Sequence, residues 1–546
     1  MRFEYRYHGS SAVAATPGAT SMSFVPDAYR EPTYFDGKLN LKVPFREAIS
    51  ALHAVVVSDH RFQARDTTAY KEWAAQRELE ELGELAAGQA EAAERYSELA
   101  AELRTLRGQR NAIMGPFYKA QREYFQYLYR KNRDFWWVLD PVITVHPDQV
   151  FFECFSRDES SYGRLGCGYE VFDHLGDHAC GTTNVDYSMA LYQEFQKIRG
   201  YKETRLQVDP SGFEVETTGD EAYKEVKIDL PESWVRGFLQ VSSAMTLPMR
   251  RLELHPMDVH NLCFLLRRKK ERNGPRSLRF LLTDGEPVRV LVEPWNHELI
   301  CPRSIYQGQD DEIRLWGRRR LHILERLIPV ARRFVVHLLG TGMPSFFVAD
   351  LGDMSFTLGL SGWTRNDWSR VGNFDLMAAR TEVDSVTQRR VFDALRETWV
   401  EDTDDLALRL RLDRSVVLGA LQAYAQAGRA IYDLEHQAYR VRELTREPLP
   451  VESLRFANER EAEASKLVAT VEPRVVEEAH GRRTLEAVVA DGHRQHQVRV
   501  QIDADERLVD ATCECSFFFR NKLFQGPCCH ILALRMADAR RQGSRT

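Results

Sequence analysis

Long apolar runs are missing from this chain. Across its 546 residues no window holds the roughly 18 uninterrupted apolar residues of a membrane span. The start, MRFEYRYHGSSAVAATPGATSM, has no apolar stretch of signal-peptide length. An excess of one charge is missing too: 74 Lys and Arg stand against 80 Asp and Glu, a net −6. No global basic field therefore draws the chain to nucleic acid. Cysteine is sparse, and Cys154, Cys167, Cys180, Cys263 and Cys301 are scattered. Without an export signal they read as reduced thiols rather than a disulfide framework. These absences point to a cytoplasmic protein with no membrane partner.

Catalytic signatures are absent as well. Gly359-Leu-Ser361-Gly-Trp363 lacks the final glycine of a nucleophile elbow. Gly340-Thr-Gly342 lacks the third glycine of a dinucleotide loop, and neither a phosphate-binding G-x-x-x-x-G-K-[ST] nor H-E-x-x-H occurs. No catalytic or cofactor-binding residue can be named, no small-molecule substrate is evident, and a non-enzyme is expected. What is present is length. A chain of 63.0 kDa is too long for one core, so about three or four domains are expected. Hydrophobic residues at 43% and charged residues at 28% fit a globular protein.

The expected fold class is α+β and multidomain. Residues 1–134 form an N-terminal region containing a helical hairpin over 72–133. Its first arm carries a heptad seam: Leu82, Leu85, Gln89, Ala92, Tyr96, Leu99, Leu103, Leu106, Arg110 and Ile113 alternate spacings of three and four. Gly115-Pro116 ends that arm. Residues 135–380 read as a central α+β region, with strand-like runs at VITV, VFFECF, RLELH, NLCFLL, SLRFLL and PVRVLV. IRLWGRRRLHILERLIPVARRFVVHLL reads as a long Arg-rich helical stretch bent or split at Pro329. Over 383–443, three helices and then a hairpin resemble a winged helix-turn-helix. Asp404 or Asp405 is expected to cap its second helix, Ser415 its third, with Gly428 as the stop.

The densest chemistry lies near the end, in CECSFFFRNKLFQGPCCHIL. Cys513-x-Cys515 and Cys528-x-His530 form C-x-C-x12-C-x-H, two chelating pairs joined by a loop. Zinc in a structural site wants four thiolate or imidazole ligands arranged tetrahedrally. The flanks agree: LEAVVADGHRQHQVRVQID reads as a hairpin turning near Asp491-Gly492, and CHILALRMADARRQ as a helix. Over about 480–542 this pattern resembles the SWIM-type zinc finger. The resemblance implies a ββα module that binds protein or nucleic acid around one structural Zn2+. It also implies the metal ligands Cys513, Cys515, Cys528 and His530, which leaves Cys529 spare.

Two roles follow as expectations. The first is an adaptor or scaffold with a protein partner. Resemblance to long bacterial SWIM-bearing proteins suggests an AAA+ ATPase or von Willebrand A-type system. The second is DNA or RNA binding through the zinc finger and the basic hairpin around Arg267–Arg276. The C-terminal residues Arg535, Arg540, Arg541 and Arg545 would assist it. Arg318, Arg319, Arg320, Arg332 and Arg333 read as surface charge or as partners of nearby acids. In SVVLGALQAYAQAG, the helix that would enter a groove, no Lys or Arg occurs. A second metal set, Cys167, His174, His178 and Cys180, has ligand types but reads more as a loop with core thiols.

Overall fold

The computed structural model describes residues 33–58, 141–184, 195–208, 232–270, 276–378, 383–444 and 459–543, apart from a few isolated positions. Strands Ala12–Ala15 and Ala19–Phe24 are also described, with a few helical positions between Ala101 and Leu106. The chain is mixed α/β with several sheets. It divides into two units, Met1–Asp59 with Leu139–Thr546, and His60–Val138. The expected helical hairpin over 72–133 falls in the second unit and, but for those few positions, lies outside the described residues.

At the centre of the first unit is an eight-stranded antiparallel sheet. Its order is Arg250–Leu254, Arg333–Leu338, Ser345–Asp350, Met354–Leu360, Ser161–Gly168, Gln149–Phe155, Val142–Val145 and Gly181–Asn184. Strands Gln149–Phe155 and Met354–Leu360 are buried along their whole length, which requires cover on both faces. Tyr162 meets Phe238 of helix Glu232–Met245 on one face. Its neighbour Gly163 points to the other face, towards Leu52 and Val55 of helix Lys42–Val57. A Cβ at Gly163 would lie 3.1 Å from Val55 and 3.2 Å from Leu52, so a larger residue would push that helix off the sheet.

Two readings made from the sequence are corrected. NLCFLL is not a strand but part of helix Pro256–Arg268. A short apolar run does not distinguish the two, and His255 decides it as N-cap by accepting from the Met257 amide, with Pro256 at the first turn. The Arg-rich stretch is not one helix. It is strand Asp311–Trp316, a 3-10 segment Arg318–Arg326 and strand Arg333–Leu338. In the first strand Ile313 and Leu315 are buried alternately with more exposed neighbours, a period of two. Arg318 and Arg320 are buried, and Arg318 donates to the carbonyls of Ser277 and Glu293. Arg333, by contrast, pairs with Glu253 and Asp350 in solvent.

Residues 383–443 contain helices Ser385–Thr398, Thr403–Leu410 and Arg414–Gln426, with strands Val400–Glu401, Ala430–Asp433 and Ala438–Val441. The middle strand of this sheet is Ala438–Val441. The second helix is capped by Asp402, which accepts from the Asp404 amide, so Asp404 and Asp405 lie inside its first turn. The third begins at Arg414 after Asp413, one residue before the expected Ser415. Gly428, with φ +73, ends it as expected.

Buried charges hold this segment to the eight-stranded sheet. Asp433 accepts from Arg164 at 3.1 Å and from Arg440 at 2.7 Å. Arg440 also reaches Asp148 at 2.8 Å, and Arg442 reaches Glu153 at 3.3 Å. Burial alone would raise the Asp433 carboxyl, but the attraction of Arg164 and Arg440 and a hydrogen bond from His436 hold it well below the usual range.

Nearby histidines behave as core residues. Burial, then a neighbouring arginine, lowers His53 and His337 to about 4 and His146 to about 3. Each stays neutral in the native state, whereas the unfolded chain takes up protons below about pH 6.5. Their contribution to stability is complete above that pH. It is lost as pH falls towards 4, at up to about 1.4 kcal/mol per pH unit for each imidazole. Melting temperature should decline steadily from pH 7 to pH 4.5; a flat profile over that range would mean that these rings reach water.

Candidate metal centre

The last module is a four-stranded antiparallel sheet, Arg474–Ala479, Arg482–Asp491, Arg494–Asp503 and Leu508–Cys513 in that order, with helix Cys529–Gly543 against it. Val498, Val500 and Ile502 alternate inward while Gln497, Arg499 and Gln501 stay more exposed, the period-two pattern read from the sequence. Gly492, at φ +59, makes the two-residue turn that Asp491 and Arg494 close. Ile531, Leu532, Ala533 and Leu534 are all fully buried, since the helix is covered by the sheet and by helix Glu459–Leu467. The first strand and the helix Glu459–Leu467, which packs on Cys529–Gly543, were not anticipated. The linker around them offers little apolar periodicity.

Each ligand sits where an element ends. Cys513 is the last residue of its strand, and Cys515 is the N-cap of the short helix Ser516–Asn521. Cys528 immediately precedes the final helix and His530 lies in its first turn. All four are buried, and their donor atoms lie within 4.8 Å of one another. The Cys513 Sγ and His530 Nδ1 are 3.7 Å apart. Tetrahedral zinc with bonds of about 2.0–2.3 Å places neighbouring ligand atoms about 3.5–3.8 Å apart. The cage therefore fits one structural Zn2+, and four protein ligands leave no open position.

Backbone amides already point at the sulfurs. The Cys515 amide donates to Cys513 Sγ at 3.5 Å, and the Phe518 amide to Cys515 Sγ at 3.3 Å. Hydrogen bonds from Cys513, then Cys528, pull the Cys515 thiol far down, while contacts with Cys513, then Cys515, push Cys528 up. A dication is the physical means of holding three thiolates so close together. On its other side, His530 Nε2 lies 3.4 Å from Asp491 Oδ2. This carboxylate fixes the ring so that Nδ1 faces the thiols. In the sequence Asp491 reads only as a turn residue; the strand pairing that brings it over His530 is tertiary information. Cys529 is partly buried and packs against the core.

The loop between the ligand pairs is anchored to the central sheet region. Phe524 lies 5.7 Å from Trp363 and 6.3 Å from Trp316, ring centre to ring centre. A Cβ at Gly342 would come within 2.7 Å of the Phe524 ring, and one at Gly526 within 2.5 Å of the Asn373 carbonyl. The Asn366 amide donates to the Phe524 carbonyl at 2.7 Å. Arg460 donates to the carbonyls of Gln525 and Pro527, both at 3.0 Å. Arg535 is turned inward, donating to Leu376, Ala378 and Glu506 carbonyls. It is therefore not part of a basic tail, as the sequence suggested.

The second metal set does not assemble among the described residues. Cys167 is buried in its strand, and His178 packs edge-on to Tyr169. No grouping of three close ligand atoms includes Cys167, His178 or Cys180, and the His174 side chain lies outside the described residues.

No curated protein matches the chain. Among solved structures, the proliferating cellular nuclear antigen of Entamoeba histolytica is similar over 60% of this chain and 97% of that one, at 8% identity and a TM-score of 0.32. A likeness that weak carries no argument about this protein. Residues 498–534, which hold all four ligands, match the family model of the SWIM zinc finger.

Proposed function

We propose that this chain is a non-enzymatic, cytoplasmic adaptor whose zinc finger contacts another protein. One observation carries the reading: the finger exposes apolar side chains that its own fold does not use. Phe519 is 77% exposed, and Val475, Val476 and Val488 are about half exposed. On the sheet, Arg474, Glu486 and Arg499 stand side by side across three strands, mixing both signs of charge. That suits a protein surface better than a phosphate backbone, which calls for one sign of charge.

Residues 383–443 act in this reading as a winged-helix-like module in a structural role. From Ser415 to Gln426 no residue of the would-be recognition helix is exposed. Gln422 instead contacts Ser243 and Thr246 of the neighbouring segment. The basic side chains named for phosphate contact are partly engaged elsewhere. Arg267 pairs with Glu325, Lys269 lies over Trp295, and Arg535 is buried. An AAA+ ATPase or von Willebrand A-type protein is the partner suggested by the SWIM resemblance.

The competing reading is DNA or RNA binding, and salt distinguishes them. Fluorescence anisotropy with duplex DNA, single-stranded DNA and RNA should detect no binding at about 50 mM salt. Binding there, weakening steeply as salt rises, would favour nucleic acid. The adaptor reading further requires that a protein co-purified from the native host be lost on Val475→Glu or Phe519→Glu while zinc is retained.

A further inference from the structure

We infer that Cys263, His322 and Glu325 form a second metal site, for Zn2+ or a similar borderline divalent ion, with its fourth position left to water. The inference goes beyond the adaptor reading and does not depend on it. One donor atom from each residue lies within 4.8 Å of the other two. Cys263 comes from helix Pro256–Arg268, and the other two from the 3-10 segment Arg318–Arg326 packed beside it. A 3-10 helix has three residues per turn, so side chains three apart eclipse. His322 and Glu325 therefore stack on one edge, with His322 Nδ1 2.7 Å from Glu325 Oε1.

The neighbouring contacts fix where these donors lie. Cys263 Sγ is 3.6 Å from the Leu321 carbonyl, which places the sulfur at the start of the His322–Glu325 edge. Arg267, one turn after Cys263, pairs with Oε2 of Glu325 and leaves Oε1 on the His322 side. A carboxylate held by an outer partner on one oxygen and offering the other is the usual arrangement around a metal. The cysteine is buried, whereas the His322 side chain is 31% and the Glu325 side chain 17% exposed. The site thus has a dry wall and a solvent-facing side through which an ion can enter. Thiolate, imidazole and carboxylate together are a donor set for zinc, and three protein ligands leave one position open.

The test is metal counting on the full-length protein. After incubation with excess Zn2+ and removal of free ion, about two metals per chain are expected, against one if only the closed site fills. His322→Ala and Glu325→Gln should each reduce the content to about one. Cys515→Ser should remove the other metal instead. Because His322 and Glu325 are partly exposed, these variants should fold, which unchanged melting in the absence of added metal would verify. With 113Cd2+ in place of zinc, two resonances should appear: one in the three-sulfur range, and one in the single-sulfur range that vanishes in His322→Ala. A single metal and a single resonance, or a second metal indifferent to both substitutions, would overturn the inference.

Discussion

Cys515→Ser is expected to release the zinc and to loosen more of the protein than the finger. Apparent zinc-binding energies in small structural sites are on the order of 10 kcal/mol at neutral pH. That matches the whole net stability of a typical domain, so the sheet and helix of the finger should not persist without metal. The consequences should spread through the loop between the ligand pairs. Phe524 packs against Trp316, Trp363 and Gly342, and its carbonyl is held by Asn366. Hydrogen exchange should therefore lose protection across 459–543 and also at described positions within 361–378. Strands such as Gln149–Phe155 should keep theirs. Unchanged protection at 361–378 would show that the loop's docking survives without the metal. Cys529→Ser should retain zinc; losing it would mean that the ligand set has been misassigned.

Asp433→Asn should cost about 3–5 kcal/mol in urea unfolding, because it leaves Arg164 buried without its paired carboxylate and leaves Arg440 with Asp148 alone. Both guanidiniums are almost fully buried, and Asp433 is 2% exposed. A surface pair is the useful contrast. Glu397, whose side chain is 74% exposed, accepts from Arg409 at 3.1 Å. Glu397→Ala should change stability by no more than about 1 kcal/mol. Similar costs for the two variants would mean that water reaches the buried cluster.

The two effects share a cause. In each, side chains far apart in the sequence exchange hydration for one another inside the fold. Asp433 lies 269 residues from Arg164, and Asn366 lies 158 from Phe524. Neither pairing has a sequence signature. A zinc site with short ligand spacings does, because the chelating residues must be close in the chain to share one ion.

By itself the sequence determined the local chemistry: the C-x-C-x12-C-x-H cage, the one-faced strand Arg494–Asp503, the glycine stop at Gly428 and the lack of a catalytic motif. These are legible because spacing and periodicity are set by covalent geometry within a few residues. Only the tertiary structure decided the rest. An Arg-rich run became two strands and a 3-10 segment, with Arg318 and Arg320 inside rather than on the surface. Asp491 came to face His530, the would-be recognition helix lost its exposed face, and Cys263 met His322 and Glu325. The physical reason is the same in each case. Burial and partnership depend on which surfaces the whole chain packs together, and that information is spread over hundreds of residues.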